Sequence, residues 1–296
     1  MRRFSCVLTL FVLLGIASCD ENSPTDEVLN LPNDESDTLI NGEVLGLPNY
    51  EVYVLMSASW SGLGRFVALF NDDIIEKSRE EQPITFAYIK GPDVEMVFGP
   101  GPRAETVFSI SKGSFDFVDQ QTLLARIGAD AGKIETVVIE TTCFDHAGGI
   151  DAFPDATFFI QEAEFDAIPT TYSNAVDNEK IKQLKEEGRL EIIDGEEELA
   201  PGITAYFMGG HTHGSQFLSV NTVDGLVVLA GDGLYTYENL EHDVESPYRQ
   251  GNQKEAYERI RAVLGESDEL LVPGHDMEVF RRFPEVADRV VQVKMQ

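Results

Sequence analysis

Thr141-Thr142-Cys143-Phe144-Asp145-His146-Ala147-Gly148-Gly149 is the stretch on which the reading of this chain turns. It follows Glu135 to Glu140, a Val- and Ile-containing run that reads as a short strand. Cys143, Asp145 and His146 then bring a thiol, a carboxylate and an imidazole close together, the donor types that bind zinc and similar divalent ions. By itself the loop could be a plain turn, because Asp and Gly favour turns. Three later segments argue otherwise. His211 lies in Gly210-His211-Thr212, Asp232 in Gly231-Asp232-Gly233 and His275 in Pro273-Gly274-His275-Asp276, each just past a short apolar run. Loops at the ends of strands, fixed by a rigid sheet, are where binding groups collect. The chain has only five histidines, and four of them fall in or beside these segments.

The chain of 296 residues carries 22 Lys+Arg against 52 Asp+Glu, a formal net charge of −30. Such a field repels phosphate backbones, so nucleic acid is not an expected partner, and it repels anionic lipid headgroups as well. With 43% hydrophobic residues the chain is long and apolar enough to bury a sizeable core beneath that acidic, solvated surface.

The first residues read as an export signal. Arg2 and Arg3 precede an apolar run from Val7 to Leu14 that is too short to span a bilayer comfortably, and Ile16-Ala17-Ser18-Cys19 follows. This resembles a bacterial lipobox, which makes residues 1–18 a lipoprotein signal and Cys19 the lipid-bearing first residue of an exported, membrane-anchored chain; a plain signal peptide is the other reading. Residues 19–41, acidic and dotted with Ser, Pro and Asn, read as a flexible tether. Cys6 lies in the signal and Cys19 takes lipid, so Cys143 is the one thiol left in the mature body and no internal disulfide is possible.

Residues 42–296 read as one α/β domain. Tyr50 to Trp60, Ile84 to Lys90, Val94 to Phe98, Glu135 to Glu140, Thr157 to Gln161, Ile203 to Met208, Gln216 to Asn221, Leu226 to Ala230 and Glu269 to Val272 have strand character. Val118 to Ile127, Glu162 to Ile168, Asn178 to Glu187 and Gln253 to Leu264 read as helices. The order predicts an αββα sandwich: two mixed β-sheets packed face to face with helices on the outer faces.

The motifs taken in order resemble the metallo-β-lactamase superfamily, and within it the N-acyl-homoserine-lactone lactonases. The superfamily pattern runs His-x-His-x-Asp-His, a His in Gly-His-Thr, an Asp after a strand and a final His. Asp145, His146, His211, Asp232 and His275 match it in sequence. Phe144 before Asp145, and the run from Asp232 through Tyr235 to Glu241, are similar to the lactonases in particular. The resemblance implies that Asp145, His146 and His275 hold one ion, that Asp232 bridges, and that Thr141, Cys143 and His211 occupy the places of the other ion's ligands. It also implies that Phe144 walls a substrate's acyl chain, that Tyr235 gives a hydrogen bond to substrate and that Asp145 moves a proton. Zinc is the expected metal, as one or two ions, with manganese or iron as other candidates.

The chain departs from the family at several points. Thr141 and Cys143 stand where histidines belong. A threonine hydroxyl is a poor ligand, whereas a cysteine thiolate is a good one; Cys143 reads either as a small buried residue or as a ligand. His213 replaces a usual proline and is either an exposed loop residue or a substitute donor. Phe98 stands where the family has an aspartate that supports the metal loop. Alternation turns Glu140 away from residues 141, 143 and 145, so it is not read as a ligand. Two functions follow: a metal-dependent hydrolase of a lactone or ester with an altered or single-metal centre, or a catalytically inactive protein of the same fold that binds ligands at the cell surface.

Overall fold

The computed structural model describes residues 46–60, 81–111, 116–168, 175–246, 249–265 and 267–295. All fall within one unit, Asp37–Gln296. The signal and tether expected over residues 1–41, with Cys19, lie outside the described residues.

Side-chain alternation shows how the strands are layered. β1 spans Glu51–Trp60, β2 Gln82–Lys90 and β3 Glu95–Phe98. Ala87, Ile89, Met96 and Phe98 join one apolar cluster, while Phe86, Tyr88 and Val97 join another. Each is buried, so these strands are covered on both faces. β4 (Thr136–Val138), β5 (Thr157–Gln161) and β6 (Leu190–Ile193) continue the sheet in parallel from β3. The other strands are β7 (Glu196–Ala200), β8 (Ile203–Phe207), β9 (Gln216–Thr222), β10 (Gly225–Gly231), β11 (Leu271–Pro273), β12 (Glu285–Ala287) and β13 (Val290–Val293). They complete a sheet of order β12-β13-β1-β2-β3-β4-β5-β6 and a second of order β11-β10-β9-β8-β7.

The helices are α1 (Ala104–Ser111), α2 (Gln120–Arg126), α3 (Phe144–Ala147), α4 (Glu162–Asp166), α5 (Ala175–Glu186), α6 (Tyr237–His242), α7 (Gln253–Leu264) and α8 (Glu278–Arg282). Leu123 and Leu124 of α2, with Ile181 and Leu184 of α5, pack with Phe86, Tyr88 and Phe158 on the outer face of the large sheet. Between the sheets, Val52, Ala87, Ile89 and Val138 face Ala205, Leu218 and Val220 in a cluster that also takes in Tyr257 and Ile260 of α7. The αββα sandwich of two mixed sheets is therefore the observed architecture.

Departures from the expected elements have local causes. The run from Glu135 to Glu140 ends as a ladder at Val138, because Ile139 and Glu140 turn toward the other sheet, where the Gln216 amide donates to the Glu140 carbonyl at 3.1 Å. β7 is missing from the sequence reading because it is an edge strand of mostly exposed Glu residues with no apolar alternation. α6 was equally silent; it starts with a capping box, in which Thr236 and Asn239 satisfy each other's backbone amides.

Candidate metal centre

Strand order explains why residues far apart in sequence meet. β10 and β11 run parallel with Gly231 opposite Pro273, so the loops leaving both strands emerge side by side. Asp232 and His275 come from those loops, and Asp232 Oδ1 lies 2.7 Å from His275 Nε2. The end of β4 joins this rim because Gln216, at the start of β9, also donates its side-chain amide to the Ile139 carbonyl at 2.7 Å. The loop after β4 thereby delivers Cys143, Asp145 and His146, the last two on the single turn of α3. Gly209 and Gly210, both with positive φ, turn the chain after β8 so that His211 faces the same point.

His146 Nε2 lies 3.0 Å from Asp232 Oδ1 and 3.3 Å from His275 Nε2. Asp145 Oδ2 stands 3.6 Å from His275 Nε2 and 3.8 Å from His146 Nε2. On the other side, His211 Nε2 lies 3.1 Å from Asp232 Oδ2 and 3.2 Å from Cys143 Sγ. The structure thus brings together Cys143, Asp145, His146, His211, Asp232 and His275, with Asp232 presenting one oxygen to each of two corners. Phe144, half-buried, flanks them. Tyr235 packs its ring against His275 and His211, at centroid distances of 4.9 and 5.5 Å, and its hydroxyl lies 3.5 Å from His211 Nδ1. Thr141 is buried and held by Thr212 and Glu164. His213 and His242 are exposed and join no convergent donor group among the described residues. Tyr237 is a core residue whose hydroxyl donates to the Leu271 carbonyl.

Glu140 is the functional residue that sequence reasoning left out. Alternation does turn it from the loop's own donors, but its carboxylate lands behind His146: Oε2 accepts from His146 Nδ1 at 3.0 Å and Oε1 accepts the Asp232 amide. Phe98 lies in the core and offers no carboxylate; the one behind His146 is Glu140, at the exit of β4. A Cβ at Gly231 would fall 2.0 Å from Glu140 Oε1, and the backbone there has φ +51, which is why the strand ends in glycine. The available signal was the charge itself: a Glu ending an apolar strand must find a partner if it is buried.

The residues fit a divalent cation on this structure's own evidence. The Pro83 carbonyl can only accept, so His275 Nδ1, at 2.8 Å, carries a proton, and Glu140 sets the same tautomer on His146. In the neutral rings both Nε2 lone pairs then face one another and Asp232 Oδ1, a buried oxygen that accepts no hydrogen bond despite its two close nitrogens. Lone pairs crowded this way require a cation or protons between them. Electrostatics agree. Burial alone would lower His146, yet the carboxylates of Asp232, Glu140 and Asp145 raise it well above its usual value. Burial would also lower His275, but Asp232 and Asp145 raise it. Asp232 would be raised by burial and is held well below the carboxylate range by His146, His275 and His211. Burial, then Asp145 and Asp232, push the Cys143 thiol well up.

The sign of these shifts sets a measurable consequence. Raised pKa values favour the protonated forms, so a metal must compete with protons at these groups. Titration calorimetry in buffers of differing ionisation enthalpy should show roughly one to two protons released per ion near pH 7. Affinity should weaken steadily as pH falls; proton-neutral, pH-independent binding would contradict the geometry.

Residues 144–275 match the family model described as the metallo-beta-lactamase superfamily. An N-acyl homoserine lactonase of Bacillus cereus is 31% identical over 162 residues, covering 53% of this chain and 62% of that enzyme. The match thus spans less than two thirds of that relative's length. Among solved structures, a quorum-quenching N-acyl homoserine lactone lactonase aligns with TM-score 0.60 at 21% identity, covering 77% of this chain and 92% of its own. A dizinc quorum-quenching lactonase aligns with TM-score 0.58 at 14% identity, over 84% of this chain and 96% of its own. At these identities the two structures bear on the fold alone.

Proposed function

We propose that the protein is a metal-dependent hydrolase that opens a lactone or ester, with N-acyl-homoserine lactones as the substrate class suggested by its relatives. The observation that carries this reading is the set of inward lone pairs on His146, His275 and Asp232, whose tautomers are fixed from behind by Glu140 and Pro83. Asp145, His146, His275 and Asp232 would hold the ion. When bound, a divalent cation makes water nucleophilic near neutral pH and polarises the carbonyl it meets. The chain's own groups supply the rest. Asp145, the most exposed of these donors, is placed to pass a proton to the departing alkoxide. Tyr235, pushed well up by burial and then by Asp232, Cys143 and Asp145, keeps its proton and is a neutral donor for the developing oxyanion. Its 3.5 Å approach to His211 is long enough to be exchanged for a substrate oxygen. Phe144 offers an apolar wall for an acyl chain. A lipid on Cys19 would place this chemistry outside the cytoplasm, at a membrane.

Metal content and lactone or ester opening, followed together, test the reading. Chelation should abolish hydrolysis and re-addition of zinc or manganese should restore it. His275→Ala should lose both the ion and turnover. Tyr235→Phe should lower kcat by about 10²-fold with metal content unchanged; a parallel loss of metal would instead make it a positioning residue for His211. A protein that binds no divalent ion, or opens no lactone or ester faster than buffer does, is a binding protein of this fold and not a hydrolase.

A further inference from the structure

Ser246 and Gln253 are polar residues that the chain buries completely, one in the loop after α6 and the other at the start of α7. A buried carboxamide must satisfy both of its ends, and Gln253 does so by joining two loops. Its Oε1 accepts the Ser246 amide at 2.6 Å, and its Nε2 donates to the carbonyls of Asp232 and Gly233 at 3.1 and 3.2 Å. Its own backbone N–H, left over at the first turn of the helix, goes to Glu245 Oε1 at 3.0 Å. Just before it, the Gln250 and Gly251 amides donate to the carbonyls of His211 and Gly210 at 2.8 and 2.9 Å. The segment is thereby stitched to the loops of both Asp232 and His211.

These bonds bring Ser246 to Tyr235. The tyrosine ring is held on its faces and edges by His211 and His275, and its backbone carbonyl accepts the His275 amide at 2.9 Å. What stays adjustable is the direction of the hydroxyl. That hydroxyl shares a hydrogen bond with the Ser246 side chain and lies 3.5 Å from His211 Nδ1. A phenol has one proton to give and lone pairs with which to accept. When Ser246 donates to the oxygen, the tyrosine's own proton is left for a partner on another side. The contact with His211 is long for a hydrogen bond, so a substrate oxygen can take that place while Ser246 stays where it is.

We propose that Ser246, fixed by Gln253, is a positioning residue that aims the Tyr235 hydroxyl at the reacting carbonyl oxygen of the substrate. The inference rests on the functional reading above, in which Tyr235 donates to the developing oxyanion. No proton changes owner in this role, since each hydroxyl keeps its own proton while donating it. The gain is that the donor's direction is set before substrate arrives, so no reorientation is needed as charge develops. Gln253 extends the control to the neighbouring loop, because one amide holds both Ser246 and the backbone of Asp232.

Steady-state kinetics of the metal-loaded full-length chain on a lactone or ester, with metal content measured alongside, test this. Ser246→Ala removes the hydroxyl and leaves the backbone amide to Gln253. It should lower kcat about 3–10-fold, the scale of one neutral hydrogen bond, with KM and metal content unchanged. In a Tyr235→Phe background the same change should cost nothing further, a result that a merely structural serine would not give. Ser246→Thr keeps the hydroxyl and should keep the wild-type rate. Equal losses in both backgrounds, no loss in the wild type, or a threonine variant as slow as the alanine one overturns the positioning role alone. A second readout needs no turnover. The NMR resonance of the Tyr235 ring carbon that bears the hydroxyl, identified by its absence from Tyr235→Phe, should shift in Ser246→Ala; a resonance that stays in place also overturns the role alone. A wild type that opens no lactone or ester overturns the hydrolase reading and this role with it, even where the resonance moves.

Discussion

Asp232→Asn should empty both corners of the centre and lower lactone or ester hydrolysis by at least about 10³-fold, equivalent to roughly 4 kcal/mol of barrier. The change keeps the side chain's shape and removes only its charge. In the wild type that charge is shared among three imidazoles, with Nε2 of His275, His146 and His211 at 2.7, 3.0 and 3.1 Å. Without it the rings lose the chief force that raises His146 and His275 against burial. The consequence for stability has a definite sign. A histidine whose folded pKa is raised contributes stability fully below its unfolded value, about 6.5, and loses it as pH rises through the folded value. Metal-free wild type should therefore lose stability on going from mildly acidic to alkaline pH through these two groups, and Asp232→Asn should flatten that slope. Denaturant unfolding of both metal-free proteins across this range checks it; an unchanged slope, or near-normal metal content in the variant, would show that Asp232 is not the shared ligand.

Glu140→Gln should weaken metal binding by about 10–100-fold, the usual cost of losing the carboxylate behind a ligating histidine. The amide oxygen can still accept the Asp232 backbone N–H, but its NH2 group then faces His146 Nδ1, which must give its proton to Nε2 and so turn a donor toward the ion. Glu140→Ala should do more. It strands two buried donors, the imidazole N–H and the Asp232 amide, at a cost of about 2–4 kcal/mol in stability as well as the lost affinity. Competition with a chromophoric chelator separates the two effects, since the glutamine variant should keep its unfolding midpoint and lose affinity. If both variants bind metal like the wild type, Glu140 is a structural residue only.

Glu140 also marks where sequence reasoning stops. Its position on an alternating run turned it from residues 141, 143 and 145, yet its carboxylate converges with His146 and Asp232. What alternation cannot show is what lies on the far side of the strand. Glu140 reaches His146 because the chain leaves the ladder after Val138 and folds over the end of β10, where Gly231 leaves room for the carboxylate. Glu164 was hidden for the same reason. It reads as one acid among many in an acidic chain, yet it is fully buried and clamps the loops of Cys143 and His211 together. The exposed His213, by contrast, shows that a donor type beside a motif is not a ligand unless the backbone aims it inward.

What the amino-acid order determines by itself is the chemistry on offer and the class of scaffold: apolar strands buried on both faces, and five acid or imidazole donors set just past strand ends. Such features are local, encoded by periodicity two and by residue type, so they can be read without coordinates. Which donors share a corner, which neighbours the Cys143 sulfur meets, and what holds each imidazole in its tautomer were decided only by the tertiary structure. Those properties depend on the parallel pairing of β10 with β11 and on the meeting of two sheets at one rim. That meeting brings residues nearly 130 positions apart, such as His146 and His275, within 3.3 Å, and no local pattern carries a distance of that kind.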